Sequence, residues 1–285
     1  MSSARPLRVG SVPYVVGRPL DAGLGAEPGI HLEHDVPAKL VERLRAGDLD
    51  VALVSSIELF RRPGYRRIGG VGVCGRGPVA SVQVFLRKPW EEVETVALDP
   101  ASRASQTLVR VLAEERQSGP PRFLEVPAGE DPRAADADAW LRIGDAALRE
   151  ALEDRSLKTF NPSAVWTAST GLPFVFATWI VHPDAPIEPH LEAFARSRQV
   201  GESRRADFAR QAASDWQLPE DACATYLLEE CSYEVEEGLE APLLLFRDRA
   251  SALGLCEANE RPEVLGDAAL RSPRPIAKEH EGESA

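Results

Sequence analysis

The sequence lacks the cysteine and histidine spacings that usually hold metal ions. Its cysteines are Cys74, Cys223, Cys231 and Cys256, with no CxxC pair among them, and its five histidines form no HExxH motif. Metal sites need several such ligands at short, fixed spacings. We therefore expect buried free thiols and predict no metal site.

The chain also lacks basic runs and long apolar runs. Its formal net charge is −12, and no cluster of Lys and Arg suggests a groove for nucleic acid. No apolar stretch approaches the roughly 18 residues that cross a bilayer. The first residues, MSSARPLRVGSVPYV, contain no apolar core or cleavage site of a secretory signal. We expect a cytoplasmic protein that binds neither nucleic acid nor membrane.

Several enzyme signatures are missing as well. No GxGxxG, P-loop or GxSxG stands between a strand and a helix, so nucleotide binding, phosphoryl transfer and an α/β-hydrolase serine lose support. What is present is typical of a soluble globular protein, with 44% hydrophobic and 27% charged residues. A length of 285 residues allows one large domain or two small ones.

Hydrophobic patterning predicts an α/β protein. Strands are expected at 7–12, 30–36 and 50–54, and a helix that starts at Pro37 and ends at Gly47 lies before the third. Polar residues follow these strands, as in many α/β folds. Further strands are predicted at 67–74, 79–87, 96–98, 123–126, 139–143 and 174–177, further helices at 146–152, 188–199, 202–216, 219–234 and 239–253, and a disordered tail after 258.

The most informative stretch is VALDPASRASQTLVRVL, residues 96–112. It predicts a strand, a polar turn and a helix whose first turn carries Ser102, Arg103 and Ser105. A helix N-terminus presents free N–H groups and the positive end of the helix dipole, so it can bind a carboxylate or phosphate. An ordinary helix cap is the alternative. We favour a docking site for a small acidic molecule.

Other candidate ligand contacts lie at predicted strand ends. Ser55 and Ser56 follow the third strand, Ser81 interrupts an apolar strand, and Asp145 comes just after another strand. Each has a local alternative: Ser81 could hydrogen-bond within its own segment, and Asp145 could cap the next helix.

Several segments together resemble one known family. These are VPY at 12–14 with Pro19, AGDLDVALVSSIELF at 46–60, GPVASVQVFLR at 77–87, ALDPASRASQTLVRVL at 97–112, LRIGDAAL at 141–148, TGLPFVFATW at 170–179 and SYEVEEGLEAPLLLFRDRASALGL at 232–255. In combination they resemble the chorismate dehydratase family of menaquinone biosynthesis by the futalosine route, over residues 9–255.

The resemblance implies an α/β, two-lobed, class II periplasmic-binding-protein-like fold with a ligand cleft between the lobes. Lobe I would comprise 1–86 plus 180–257 and lobe II 87–179, leaving 258–285 as the disordered tail. The family reaction removes water from chorismate to give 3-[(1-carboxyvinyl)oxy]benzoate. It implies a small anionic substrate and neither a metal nor an organic cofactor.

One position departs from the family pattern. The family reads Y-L-N-x-x-P in the first turn, but here Val16 stands where Asn is expected, with Arg18 two residues on. Because Val has no hydrogen-bonding group, the resemblance leaves two readings open. One is a dehydratase, with Arg18 either compensating or lying at the surface. The other is a non-catalytic or altered-chemistry paralogue that binds chorismate or a related enolpyruvyl or aromatic carboxylate.

The expected substrate-binding residues combine the family motifs with the strand-end candidates. No side chain stands out as the catalytic base, and a carboxylate of the substrate itself is the candidate for that role. The predicted contacts are Tyr14, Ser55, Ser56, Ser81, Ser102, Arg103, Ser105 and Asp145.

Overall fold

A computed structural model describes residues 5–116, 118–154, 156–234, 238–258 and 261–266. Its strands are β1 Leu7–Ser11, β2 Ile30–His34, β3 Val51–Ser55, β4 Arg66–Gly75, β5 Val82–Leu86, β6 Thr95–Leu98, β7 Arg122–Glu125, β8 Ala139–Ile143, β9 Lys158–Phe160, β10 Phe174–Val181, β11 Cys231–Ser232 and β12 Val264–Leu265. Its α-helices are α1 Arg18–Asp21, α2 Pro37–Ala46, α3 Arg103–Ala113, α4 Gly144–Glu153, α5 Pro162–Thr170, α6 Leu191–Ser203, α7 Arg205–Trp216, α8 Glu220–Ala224 and α9 Glu240–Ala252.

The strands form two mixed sheets, as the predicted two-lobed α/β architecture requires. The first has the order β11-β4-β10-β3-β1-β2, with β12 beside β4, and the second has the order β7-β6-β8-β5-β9. In the first sheet β1 pairs in parallel with β2 and β3, and in the second β6 pairs in parallel with β7 and β8. Strand β3 is buried along its whole length, which explains its unbroken apolar sequence.

The two sheets divide the chain close to the predicted lobe boundaries, which stay a prediction. Strand β5, within predicted lobe I, lies in the second sheet, and the start of β10, within predicted lobe II, lies in the first sheet. The chain therefore crosses between the sheets at 76–81 and 171–173. Apolar strands on either side of a crossing look alike in sequence, because both are buried.

Other secondary-structure elements also differ from those predicted. Strand β5 begins at Val82, because 79–81 form a turn in which the Val82 N–H donates to the carbonyl of Val79 at 3.1 Å. Helix α5 was not predicted. Disorder after 258 is wrong for β12, which pairs with Arg67 and Ile68 of β4; residues 259–260 and 267–285 lie outside the described part.

The long helix predicted at 219–234 is shorter and changes type. It begins as α8 and continues as a π-helix over Thr225–Glu230, directly before β11. In the ranges that the structure covers, no helix combines the length and apolar character needed to cross a membrane.

Candidate functional site

A cavity of about 90 Å³ lies between the two sheets. It opens beyond the carboxyl ends of β1, β3, β6 and β8, which is where α/β folds place their ligands. Its lining residues are Val12, Tyr14, Val16, Pro37, Leu53, Val54, Ser55, Val73, Cys74, Val79, Ser81, Val82, Ala101, Ser102, Ser105, Ile143, Gly144, Phe176, Ala177, Tyr226 and Cys231.

One polar end of the cavity is the N-terminus of α3. Ser102 caps this helix by accepting a hydrogen bond from the N–H of Ser105 at 3.2 Å, and its hydroxyl donates to the hydroxyl of Ser105 at 2.9 Å. Ser55, from the first sheet, accepts from the N–H of Ala104 at 3.3 Å. Three serine hydroxyls, Ser55 from the first sheet and Ser102 and Ser105 from α3, thus surround the positive end of α3.

A second polar wall is formed by Ser81 and Tyr226. Both residues line the cavity, and so does Cys231. Burial raises the pKa of the Cys231 thiol to about 12 and raises the pKa of Tyr226 above its ordinary value. Both groups therefore keep their protons at neutral pH and act as neutral hydrogen-bond partners.

Tyr14 lies against the turn that leads from β8 into α4. Gly144 makes this turn with φ +66, and a Cβ added there would lie 3.9 Å from the Tyr14 ring. The left-handed φ, rather than lack of space, is what requires glycine at this position. Burial, followed by the negative charges of Asp99 and Asp145, raises the pKa of the Tyr14 hydroxyl. Tyr14 therefore stays protonated and can donate to a ligand.

Asp99 joins the ends of two strands of the second sheet. One carboxylate oxygen accepts from the N–H of Ala101 at 2.9 Å, and the other accepts from the N–H of Ile143 at 3.1 Å. Burial raises the pKa of this carboxyl group, partly offset by these two bonds. Asp99 thus fixes the distance between the α3 and α4 turns that line the cavity.

Two predicted ligand contacts are instead engaged within the protein. The buried hydroxyl of Ser56 donates to the carbonyl of Val175 at 2.6 Å, and Ser56 does not line the cavity. Arg103 extends to the buried carboxylate of Glu58, with 3.2 Å between its Nη1 and a carboxylate oxygen. In this geometry neither side chain lines the cavity, and contact of Ser56 or Arg103 with a ligand stays a prediction. Ser55 and Ser56 are neighbours whose side chains take opposite directions.

Asp145 and Arg18 stand beside the cavity and do not line it. Asp145 lies in the first turn of α4 within a charged surface depression that also contains Arg142 and Arg149. Burial raises the pKa of Asp145 to about 6, while the charges of Arg18 and Arg149 act in the opposite direction. Asp145 does not provide the N-cap, which is Ile143. It acts on the cavity through its electrostatic influence on Tyr14.

Val16 does line the cavity, so the position that departs from the family pattern faces the ligand space. Around it the wall is apolar, with Val12, Leu53 and Val54 nearby in the same lining. Among the described lining residues none carries a charged side chain. An anion in this cavity must therefore be held by hydroxyl groups, N–H groups and the α3 dipole.

Sequence reasoning missed Tyr226, Cys74, Cys231 and Phe176 as cavity residues. They lie in or beside elements of the first sheet that are remote in sequence from the strand-end motifs. Two segments of the family resemblance were usable signals: TGLPFVFATW at 170–179 contains Phe176, and SYEVEEGLEAPLLLF at 232–246 begins just after Tyr226 and Cys231.

The polar residues of the described ranges offer no obvious place for a metal ion. No group of three or more His, Cys, Asp or Glu side chains in the part of the chain that the structure describes is arranged to hold one. The cavity donors are hydroxyl groups and thiols that keep their protons, a set suited to an organic anion.

Comparison with known proteins finds relatives in menaquinone biosynthesis. A family model described as menaquinone biosynthesis matches residues 7–252. The chorismate dehydratase of Thermus thermophilus is 30% identical over 224 residues, which cover 70% of this chain and 82% of that protein.

Solved structures show the fold. A protein from Archaeoglobus fulgidus superimposes with a TM-score of 0.70 at 16% identity, covering 89% of this chain and 99% of that one. A Candida albicans protein described as having the generic periplasmic binding protein fold gives a TM-score of 0.64 at 10% identity, covering 90% and 92%. The predicted periplasmic-binding-protein-like fold is confirmed, and the chain belongs to the menaquinone biosynthesis family that includes the chorismate dehydratases.

Proposed function

We propose that this protein is a cytoplasmic lyase that dehydrates chorismate to 3-[(1-carboxyvinyl)oxy]benzoate. The observation that carries the proposal is the cavity between the sheets, where hydroxyls from both lobes surround the N-terminus of α3. The family assignment and the chorismate dehydratase relative support it. The apolar middle of the cavity suits a six-membered carbon ring, and its polar ends suit carboxylates.

The reaction is an elimination that gains its driving force from aromatisation of the ring. The protein must hold the ring, bind two carboxylates and help a hydroxyl group leave as water. In this proposal Ser55, Ser102 and Ser105 hold one carboxylate at the α3 N-terminus. Tyr14, kept protonated by its surroundings, donates to an oxygen atom of the substrate.

No side chain is assigned as the base that removes the ring proton. The described cavity lining contains no Asp, Glu, His or Lys. A carboxylate of the substrate, desolvated in an apolar cavity, is a stronger base than in water and is suited to this role. The protein would then contribute by fixing the conformation in which the carboxylate reaches the proton.

The test is incubation of the purified protein with chorismate, followed by mass spectrometry of the products. We expect formation of a product lighter than chorismate by one water molecule, at a rate above that in buffer alone. The same sample with Ser105→Ala, which removes one hydroxyl of the proposed carboxylate site, should be slower. Chorismate that decays at the buffer rate in the presence of the protein would contradict the dehydratase proposal.

Val16 favours a second candidate, in which the protein binds such a carboxylate without efficient chemistry. An apolar side chain at this cavity position supplies no hydrogen bond to a reacting group. Calorimetric titration with chorismate and with 3-[(1-carboxyvinyl)oxy]benzoate separates the two functions. Binding of either compound without turnover would support the second candidate, and absence of binding would contradict both.

A further inference from the structure

Helix α6 packs against α1 with direct contact between the two backbones. A Cβ added at Gly201 of α6 would lie 2.0 Å from the carbonyl oxygen of Pro19 and 2.5 Å from its carbonyl carbon. No side chain fits into that space, so any larger residue at this position must displace one of the two backbones. Glycine is otherwise unfavourable inside a helix, and the close approach to α1 accounts for it here.

A second buried contact joins the same two helices. The hydroxyl of Ser197, which is 2% exposed, donates to the carbonyl of Leu20 at 3.0 Å. Phe194 packs edge-on against Trp179 of β10, with 5.2 Å between the ring centres. Phe194, Ser197 and Gly201 are spaced i, i+3 and i+7, so they lie on one face of α6. This face is fixed to the first sheet at one end and holds α1 at the other.

Helix α1 is continuous with the turn that brings Tyr14 to the cavity. Residues 14–21, called the Tyr14 turn from here on, contain a short 3-10 helix and α1, and the N–H of Arg18 joins the two by donating to the carbonyl of Val15. Tyr14 lines the cavity, and its ring lies against Gly144 of the second lobe. A shift of α1 therefore moves a wall of the cavity.

We propose that Gly201 and Ser197 are positioning residues, which hold α1 and thereby set how far the Tyr14 turn reaches towards the second lobe. The inference rests on the proposed function, since it takes a chorismate-type carboxylate as the ligand and Tyr14 as a donor to it. Neither Gly201 nor Ser197 lines the cavity, so each acts through the turn. Displacements of about 1 Å that begin far from the reacting atoms can be costly, because catalysis and binding depend on the alignment of donors with the ligand.

The experiment is a double-mutant cycle read by calorimetric binding of 3-[(1-carboxyvinyl)oxy]benzoate, which requires no turnover. Gly201→Ala in the parent should weaken binding about tenfold, within the range for loss of one hydrogen bond to an anion. In a Tyr14→Phe background the same change should alter affinity by less than about twofold, because the hydroxyl that it would misplace is already absent. Equal losses in both backgrounds, or no loss in the parent, would overturn the inference.

Ser197→Ala guards against a Gly201→Ala variant that does not fold. It removes one hydroxyl and adds no atom, so it loosens α1 without a clash. We expect about a threefold loss of affinity in the parent, the range for one neutral hydrogen bond, and no loss in the Tyr14→Phe background. The same loss in both backgrounds would overturn the inference even if Gly201→Ala cannot be purified.

Gly25→Ala is the matched control. Gly25 lies in the short turn Leu24–Ala26 that follows α1, and a Cβ there would lie 3.6 Å from its nearest neighbours, two atoms of Leu32. Because that distance is ordinary van der Waals contact, the variant should leave affinity unchanged. A loss as large as that of Gly201→Ala would trace the effect to the loss of a glycine and not to the contact with α1, and the positioning role would be refuted.

The cycle separates this inference from the function on which it rests. Failure of the parent to bind 3-[(1-carboxyvinyl)oxy]benzoate would refute the proposed ligand and this inference together. A parent that binds, with Gly201→Ala equally harmful in the presence and absence of the Tyr14 hydroxyl, would refute the inference alone.

Discussion

The cavity and the region behind α3 differ in the charge of their side chains. The described cavity lining contains only neutral side chains, whereas the buried carboxylate of Glu58 behind α3 is contacted by Arg45, Arg61 and Arg103. Both regions bring the two lobes together, since Glu58 follows β3 and Arg103 begins α3. The full charges join the lobes, and the ligand space is left to hydroxyls and N–H dipoles.

The difference follows from the cost of burying charge. A buried carboxylate needs partners that are always present, and three arginines supply them for Glu58. A buried arginine in the cavity would have no partner until the ligand bound. Neutral donors have a smaller desolvation cost in the empty cavity and can still stabilise an anion when it enters.

The largest expected effect comes from breaking the charged region. Glu58→Ala leaves three guanidinium groups crowded without their shared carboxylate, and we expect a loss of about 3 kcal/mol in the free energy of unfolding. The measurement is urea unfolding at neutral pH. Glu188→Ala, which removes a 60% exposed partner of Arg66, is the control and should cost less than about 1 kcal/mol. Similar losses in both variants would show that the Glu58 cluster has no special role.

The next largest effect is expected from a substitution in the neutral cavity lining. Val16→Asn introduces an amide into the cavity wall at the family position. If the amide contacts the reacting group in the transition state, kcat should rise by about two decades, close to 3 kcal/mol, with little change in affinity. Steady-state kinetics on chorismate measure both quantities. Val200→Asn, at an exposed site on α6, is the control; a parent already as fast as Val16→Asn would show that another group has the role.

Asp145 belongs neither to the charged region behind α3 nor to the neutral cavity lining, and it is half-buried close to the cavity. Its folded-state pKa, raised to about 6 by burial, lies above the unfolded value, so its protonated form favours the folded state. Its relative contribution to stability is full below about pH 4 and is lost as pH rises through about 6. Asp145→Asn should therefore gain on the order of 1–2 kcal/mol over the parent at pH 8, and nothing at pH 4. Urea unfolding at both pH values tests this, and a difference independent of pH would contradict it.

The smallest expected effect is on ligand affinity at Arg103. Because Arg103 pairs with Glu58 instead of lining the cavity, Arg103→Ala should change affinity by less than about 0.5 kcal/mol and stability by about 1 kcal/mol. Ser102→Ala in the same turn should weaken binding more, since Ser102 lines the cavity. Calorimetric titration of both variants decides, and a larger loss for Arg103→Ala would restore it as a ligand contact.

Sequence patterns predicted those structural features that depend on contacts between residues close together in the chain. The cap at Ser102 and the end of α2 at Gly47 could be read directly, because their contacts lie within a few residues. The partner of Arg103 is 45 positions away and that of Ser56 is 119 positions away, so neither could be inferred locally. Tyr226 lines the cavity from a π-helix, an element for which the sequence has no reliable signal.

The order of the strands also bears on how this chain is made. The strands of the second sheet come from one continuous stretch, whereas the first sheet needs β10, β11 and β12 from beyond it. During synthesis β1, β2 and β3 leave the ribosome long before β10 exists to pair with β3. Closing so long a loop is entropically costly, and distant pairings form slowly. The second lobe can thus fold while translation continues. Once folded, it shortens the connection between β4 and β10, so that β10 can pair with β3.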